Sequence, residues 1–139
     1  MLAGIIMGFE RTIYNKPAGI RTFSLVSLGS TLIMLLSVYG VERLGLKVGI
    51  DPFRIAAQIV SGIGFIGAGV IWNSKNGVKR GITTAAELWV VSAIGMALGV
   101  GMYDLVILVM ICIFMVMRIG NMLGRYTKNK EKREPDDLE

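Results

Sequence analysis

Two stretches of 20 residues contain no charged side chain: 22–41, between Arg21 and Glu42, and 55–74, between Arg54 and Lys75. A third, Gly81–Tyr103, holds one charge, Glu87, and a fourth runs uncharged from Leu105 to Met117. A helix of about 20 residues rises far enough to cross the roughly 30 Å hydrocarbon core of a bilayer. Apolar runs this long exceed what a soluble strand or core helix needs. Charged residues make up 18% of the chain against about 25% in soluble domains. The sequence therefore predicts an all-α integral membrane fold. Four transmembrane helices are expected, A at 22–41, B at 53–73, C at 84–103 and D at 104–123, in a domain covering 1–124 with a charged cytoplasmic tail at 125–139.

The joints between these runs favour helices over strands. Asp51-Pro52 places an N-cap acceptor before a proline suited to the first helical position of span B. Thr84 and Glu87 have capping-box spacing for the start of span C, and Asp104 is an N-cap candidate for span D. Lys16-Pro17-Ala18-Gly19 breaks helical pattern before span A, and Asn76-Gly77 predicts a tight turn between B and C.

Residues 1–9 are apolar but reach only about 13 Å as a helix. They form an N-terminal half-span with two readings: a short interfacial or re-entrant segment, or the end of a span that begins outside this chain. The basic residues Arg11 and Lys16 that follow favour the second.

Charge placement orients the spans. Arg11, Lys16, Arg21, Lys75, Lys79, Arg80, Arg118, Arg125, Lys128, Lys130, Lys132 and Arg133 fall on one side, and Arg43, Lys47 and Arg54 on the other. The positive-inside rule then puts the segment before span A and the C-terminus in the cytoplasm. The tail itself is balanced, with five basic and five acidic residues from Arg125 onward. A net charge of +5 scattered over loops is not the dense basic stripe of a nucleic-acid binder. With no His and one Cys, neither a His-based triad nor a Cys/His zinc site can be assembled, and no enzyme or cofactor is expected.

Gly62-x-Gly64-x-x-Gly67 has the spacing of a dinucleotide fingerprint, and Glu87 follows 20 residues later. The context is wrong for nucleotide binding, because the glycines lie inside an apolar run with no short strand before them. Helix packing explains them better. Ala57, Ser61, Gly64 and Ala68 share one face of span B, and Ala86, Ala93, Ala97 and Gly101 repeat the device in span C, where small residues let backbones approach.

Glu87 is the one acid inside a span. A carboxylate there is costly and marks a functional suspect, a weak metal or proton candidate to be paired with Arg54 or Arg80. The competing reading is the capping box with Thr84. Span A carries Ser24, Ser27 and Thr31 on one side and Ser30 and Ser37 on another, hydroxyls that can bond across helices or to their own backbone. Gln58 needs a partner more urgently. Cys112 and most of the nine Met read as packing residues.

Several ordered blocks resemble the MgtC/SapB family of bacterial inner-membrane proteins. They are Glu10-Arg11, then Lys16-Pro17-Ala18-Gly19-Ile20-Arg21-Thr22, then Asp51-Pro52-x-Arg54 with Gln58, Gly62, Gly64 and Gly67, then Thr83-Thr84 and Trp89. The resemblance implies about five spans and a place in magnesium or stress adaptation. It points to a regulator that contacts itself or a membrane complex, one proposed partner being the F-type ATP synthase. A cation transporter or channel subunit is the alternative, with Glu87 and Gln58 inside and Glu42, Asp51 and Asp104 on the outer side. Two departures stand out: longer members carry a soluble C-terminal domain, and Glu87 sits where a small or hydroxyl residue is expected.

Overall fold

The structure, a computed structural model, describes residues 1–43, 45, 51, 53–74 and 77–131. Lys47, Pro52, Lys75, Asn76 and everything from Lys132 onward lie outside the described residues, and of Glu42 and Arg125 only the backbone is described. The chain is helical: α1 (Leu2–Ile13), α2 (Ile20–Arg43), α3 (Phe53–Gly69), α4 (Ile82–Gly99) and α5 (Tyr103–Glu131), with β1 (Trp72–Asn73) and β2 (Lys79–Arg80) between α3 and α4.

Among the described residues, three helices are long and apolar enough to cross a membrane: α2 over Ile20–Gly40, α4 over Ile82–Gly99 and α5 over Tyr103–Gly124. They match expected spans A, C and D. The fourth expected span is shorter than its apolar run. α3 stops at Gly69 after 17 residues, and Trp72–Asn73 instead pair antiparallel with Lys79–Arg80. An uncharged run sets the environment a segment tolerates. It does not set where the helix stops, which here is decided by a hairpin whose Ser74 N–H donates to Val78 O at 2.9 Å.

The helices fall into two compact units, 1–106 and 107–139. In the first, α2 and α4 run parallel and in close contact. Ser30 and Ser92 share a hydrogen bond of 2.9 Å, and Thr31 Oγ1 donates at 2.9 Å to the Gly95 carbonyl and at 2.8 Å to its own Ser27 carbonyl. Phe23, Leu88, Val91 and Ile94 are buried around this seam. α1 packs antiparallel on α2 as a half-length helix of about 18 Å. The turn between them is pinned by Thr12, whose Oγ1 accepts the Ile20 N–H at 2.9 Å and donates to Gly8 O at 3.1 Å. α3 returns antiparallel to α4, with Gly67 against Ala85. In the second unit α5 continues as helix to Glu131, so the segment expected as a tail from 125 is helical over its first residues.

The small residues that bring α2 and α4 together are not those expected. Gly95 and Gly99 are buried at the contact, whereas Ala86 and Gly101 are exposed and Ala93 and Ala97 only half-buried. On α3 the packed side is Ile63 and Gly67, and the expected face of Ala57, Ser61, Gly64 and Ala68 is exposed within the chain. Cys112, expected in a packed core, is exposed on α5. Asp51 does accept the Phe53 N–H at 2.9 Å, as expected of the cap before α3. Asp104 lies within the first turn of α5 rather than ahead of it.

A side chain at position 95 has no room. A Cβ there would sit 2.5 Å from the Ser27 carbonyl oxygen, a backbone atom that cannot swing away. Gly95→Ala is expected to destabilise the protein by about 1–3 kcal/mol. Gly29→Ala, where nothing lies within 4 Å, should be neutral or stabilising by up to about 1 kcal/mol. Thermal unfolding of the two variants in detergent, followed by circular dichroism, measures the difference.

Candidate functional site

Gly4, Met7, Gly8 and Arg11 form the buried side of α1. An arginine ending such a face has two choices at a membrane boundary: extend outward to water, or find an acid within reach. Here it finds the acid. Arg11 Nη1 donates to Glu87 Oε1 at 3.0 Å, with the two side chains only 7% and 9% exposed. Its Nη2 donates to Thr84 Oγ1, and Thr84 is itself buried. Because helical side chains lean toward the N-terminus, and α1 runs antiparallel to α4, the guanidinium leans back along α4 toward the carboxylate.

This corrects two expectations for Glu87. Its partner is Arg11, not Arg54 or Arg80. Arg54 opens α3, and the opposite end of that helix packs beside the start of α4, so Arg54 is held a full helix length away. The capping box is also not formed. α4 begins at Ile82 behind Gly81, with no side-chain cap, so Thr84 is already inside the helix. The three-residue spacing was still informative, because it puts Thr84 and Glu87 on one helix face, where both meet the same guanidinium.

Other polar groups are buried beside this site. Ser27, Ser30 and Ser92 lie within the α2–α4 seam, and Arg11 Nε, Ser24 Oγ and Ser27 Oγ have no hydrogen-bond partner among the described residues. Gln58 is exposed on α3, away from the pair. Asp51 and Asp104 are likewise exposed. Among the described residues no three His, Cys, Asp or Glu side chains come together as a metal-holding group. The glycines of the Gly62-x-Gly64-x-x-Gly67 run all lie inside α3, and among the described residues no strand leads into them.

The residue that the sequence reading placed wrongly is Arg11. It stood among the basic residues flanking a span, and the structure buries it. The signal available was the spacing of Gly4, Gly8 and Arg11 on one face of a helix, since glycines at that interval mark a contact surface that Arg11 continues.

With these contacts in place, comparison with known proteins is direct. The MgtC family profile matches residues 1–126. The chain belongs to the MgtC family. It is 46% identical over 126 residues to the protein named "Putative magnesium transporter YhiD" of Escherichia coli (strain K12), covering 89% of this chain and 58% of that one. It is 38% identical over 104 residues to Protein SapB of Bacillus subtilis (strain 168), covering 73% and 45% respectively. It is 42% identical over 102 residues to Protein MgtC of Brucella abortus (strain 2308), covering 73% and 40%. The chain spans about half the length of the curated relatives it matches. No solved structure matches the chain. The MgtC-family chain is thus a membrane protein whose buried ion pair joins a motif arginine to an acid where the resemblance leads one to expect none.

Removing one member of a buried pair leaves the other charged and unpaired, which costs about 3–5 kcal/mol. Arg11→Met and Glu87→Met are each expected to destabilise the chain by about that amount. The double variant should recover most of the loss, since two apolar side chains of similar volume replace the pair. A double-mutant cycle on unfolding in detergent checks this, and additive losses would contradict it.

Proposed function

We propose that this MgtC-family chain is a non-enzymatic regulator in the bacterial inner membrane, serving magnesium and stress adaptation by docking its helices against a partner. The observation that carries the reading is the commitment of Glu87. Its carboxylate accepts a hydrogen bond from a buried guanidinium at 3.0 Å. Magnesium favours carboxylate oxygens and gives up its waters reluctantly. An ion at Glu87 would have to displace Arg11 and leave a buried cation unpaired. The open face of α3 supports docking: Ala57, Ser61, Gly64 and Ala68 are exposed, and nothing lies within 4 Å of a Cβ at Gly64. The partner is a second copy or a membrane complex, with the F-type ATP synthase suggested by the family resemblance. A cytoplasmic C-terminus follows from the excess of Lys and Arg on one side. Supporting it, Lys16, Lys79 and Arg80 lie in the connections that precede the parallel helices α2 and α4, and Arg21 lies in the first turn of α2.

Transport is the second reading, favoured by the name of the Escherichia coli relative. In that case Glu87 exchanges Arg11 for the ion during the transport cycle.

Two measurements separate the readings. Protein reconstituted in vesicles is expected to pass no more Mg²⁺ than empty vesicles, and a flux abolished by Glu87→Gln would overturn the regulatory reading. In a bacterial strain deprived of its own MgtC-family protein, growth at low magnesium should be restored by the wild-type chain. Gly64→Leu should fail to restore it, although the position has room for the side chain within the fold.

A further inference from the structure

α3 leaves a polar side chain uncovered at membrane depth. The helix buries Ile63 and Gly67, and its other sides are exposed, Ala57, Ser61, Gly64 and Ala68 among them. Small residues alone identify no partner, because lipid tails cover them equally well. The informative residue is Gln58, which is exposed and has no hydrogen bond to any described residue. Its depth follows from the packing. Gly67 stands against Ala85 and α3 is antiparallel to α4, so Gln58 lies about 14 Å farther along, level with Ile94. That level falls inside Ile82–Gly99, a helix long and apolar enough to cross the membrane.

A side-chain amide at that depth presents N–H donors and a carbonyl acceptor where no water is at hand to take them. Polar side chains on membrane helices therefore face a neighbouring helix and bond across the contact. Gln58 has no such neighbour among the described residues. Arg54, Gln58 and Ser61 follow one another at spacings of four and three, on the side of α3 away from Ile63 and Gly67. The charges along this side say which helix fits it. Asp51 and Arg54 are the charged residues of 51–74, one of each sign, both exposed and in no ion pair among the described residues.

We propose that this side of α3 docks on the same side of α3 in a second copy of the chain. The inference rests on the docking reading above and names its partner. A twofold axis normal to the membrane sets the two helices at equal depth, each residue facing its own counterpart or exchanging places with a neighbour. Only a self-complementary face tolerates that operation, and one carrying a single sign of charge would repel its copy. Here Asp51 of each copy meets Arg54 of the other at the outer edge. Deeper, each Gln58 amide donates to the other and accepts from it. Deeper still, Ser61, Gly64 and Ala68 admit the close backbone approach that association in lipid requires.

Disulfide cross-linking of the full chain in vesicles of phosphatidylethanolamine and phosphatidylglycerol tests the interface. Cys112→Ser removes the one native thiol, and Ser61→Cys is compared with Leu32→Cys under copper-phenanthroline oxidation. Leu32 is exposed on α2 and reports chance collision. Ser61→Cys should give a covalent dimer whose yield holds as protein is diluted with lipid, whereas the yield at Leu32→Cys falls. Adding Gln58→Leu should weaken self-association roughly threefold to tenfold, although leucine suits lipid better than an amide. Cross-linking at Ser61→Cys no better than at Leu32→Cys, or unchanged by Gln58→Leu, overturns the dimer. A monomeric chain in which Gly64→Leu still fails to support growth overturns it too, and leaves the regulatory reading standing with a different membrane protein on α3. A dimer that forms as described while Glu87→Gln abolishes a Mg²⁺ flux upholds the interface and removes the regulatory reading alone.

Discussion

The parallel contact between α2 and α4 is the constraint on which the remaining geometry of residues 1–106 depends. In lipid there is no hydrophobic drive between helices, so association rests on close packing and on hydrogen bonds across the interface. The seam has both. Gly95 and Gly99 admit the backbone of α2, and Ser30, Thr31 and Ser92 bond across it. Two parallel neighbours need a connection that crosses back, and α3 supplies it, laid antiparallel on α4. α1 is laid antiparallel on α2. Once the α2–α4 register is set, the end of α1 and the first turns of α4 must stand side by side.

That juxtaposition explains why the charges are tolerated. Arg11 and Glu87 come from helices separated by 76 positions, and neither finds a partner on its own helix face. A buried pair is a poor source of net stability, because desolvation offsets most of the attraction. Its effect is on selection among arrangements. Sliding α1 by one turn would move Arg11 about 5.4 Å along α4 and strand two charges in an apolar setting. The pair therefore adds a charge constraint to the position of a 12-residue helix that Thr12 and the close approach of Gly4 and Gly8 also hold against α2.

How much of this was legible follows from what each signal encodes. Uncharged length marks spans well: α2 and α4 coincide with their apolar runs to within a few residues, and α5 starts with its run but continues past it to Glu131. It fails at the end of α3, where Ile71 and Trp72 remain apolar after the helix has given way to a hairpin. Small-residue periodicity showed that helices would pack closely but not which faces would meet. The reason is that in a glycine-rich segment several faces qualify: in α4 both Ala93/Ala97 and Gly95/Gly99 have the right interval, and only the position of the α2 carbonyls chooses between them. Glu87 was identified as the intramembrane acid from sequence. Its partner was not, because pairing across 76 residues leaves no local trace, and the nearer basic residues Arg54 and Arg80 competed for it.

Arg11 and Glu87 also differ in standing. Arg11 belongs to a block that resembles the family pattern, whereas Glu87 occupies a position where a small or hydroxyl residue is expected. With such a residue at 87, the guanidinium keeps Thr84 as a hydrogen-bond acceptor but loses its counter-charge, and a full positive charge then faces the first turn of α4. Low dielectric makes that charge expensive unless an anion from outside the chain neutralises it. Glu87 supplies that negative charge from within the chain, its Oε1 lying 3.0 Å from Arg11 Nη1. In this chain the acid of α4 neutralises a buried arginine, the two side chains being 9% and 7% exposed.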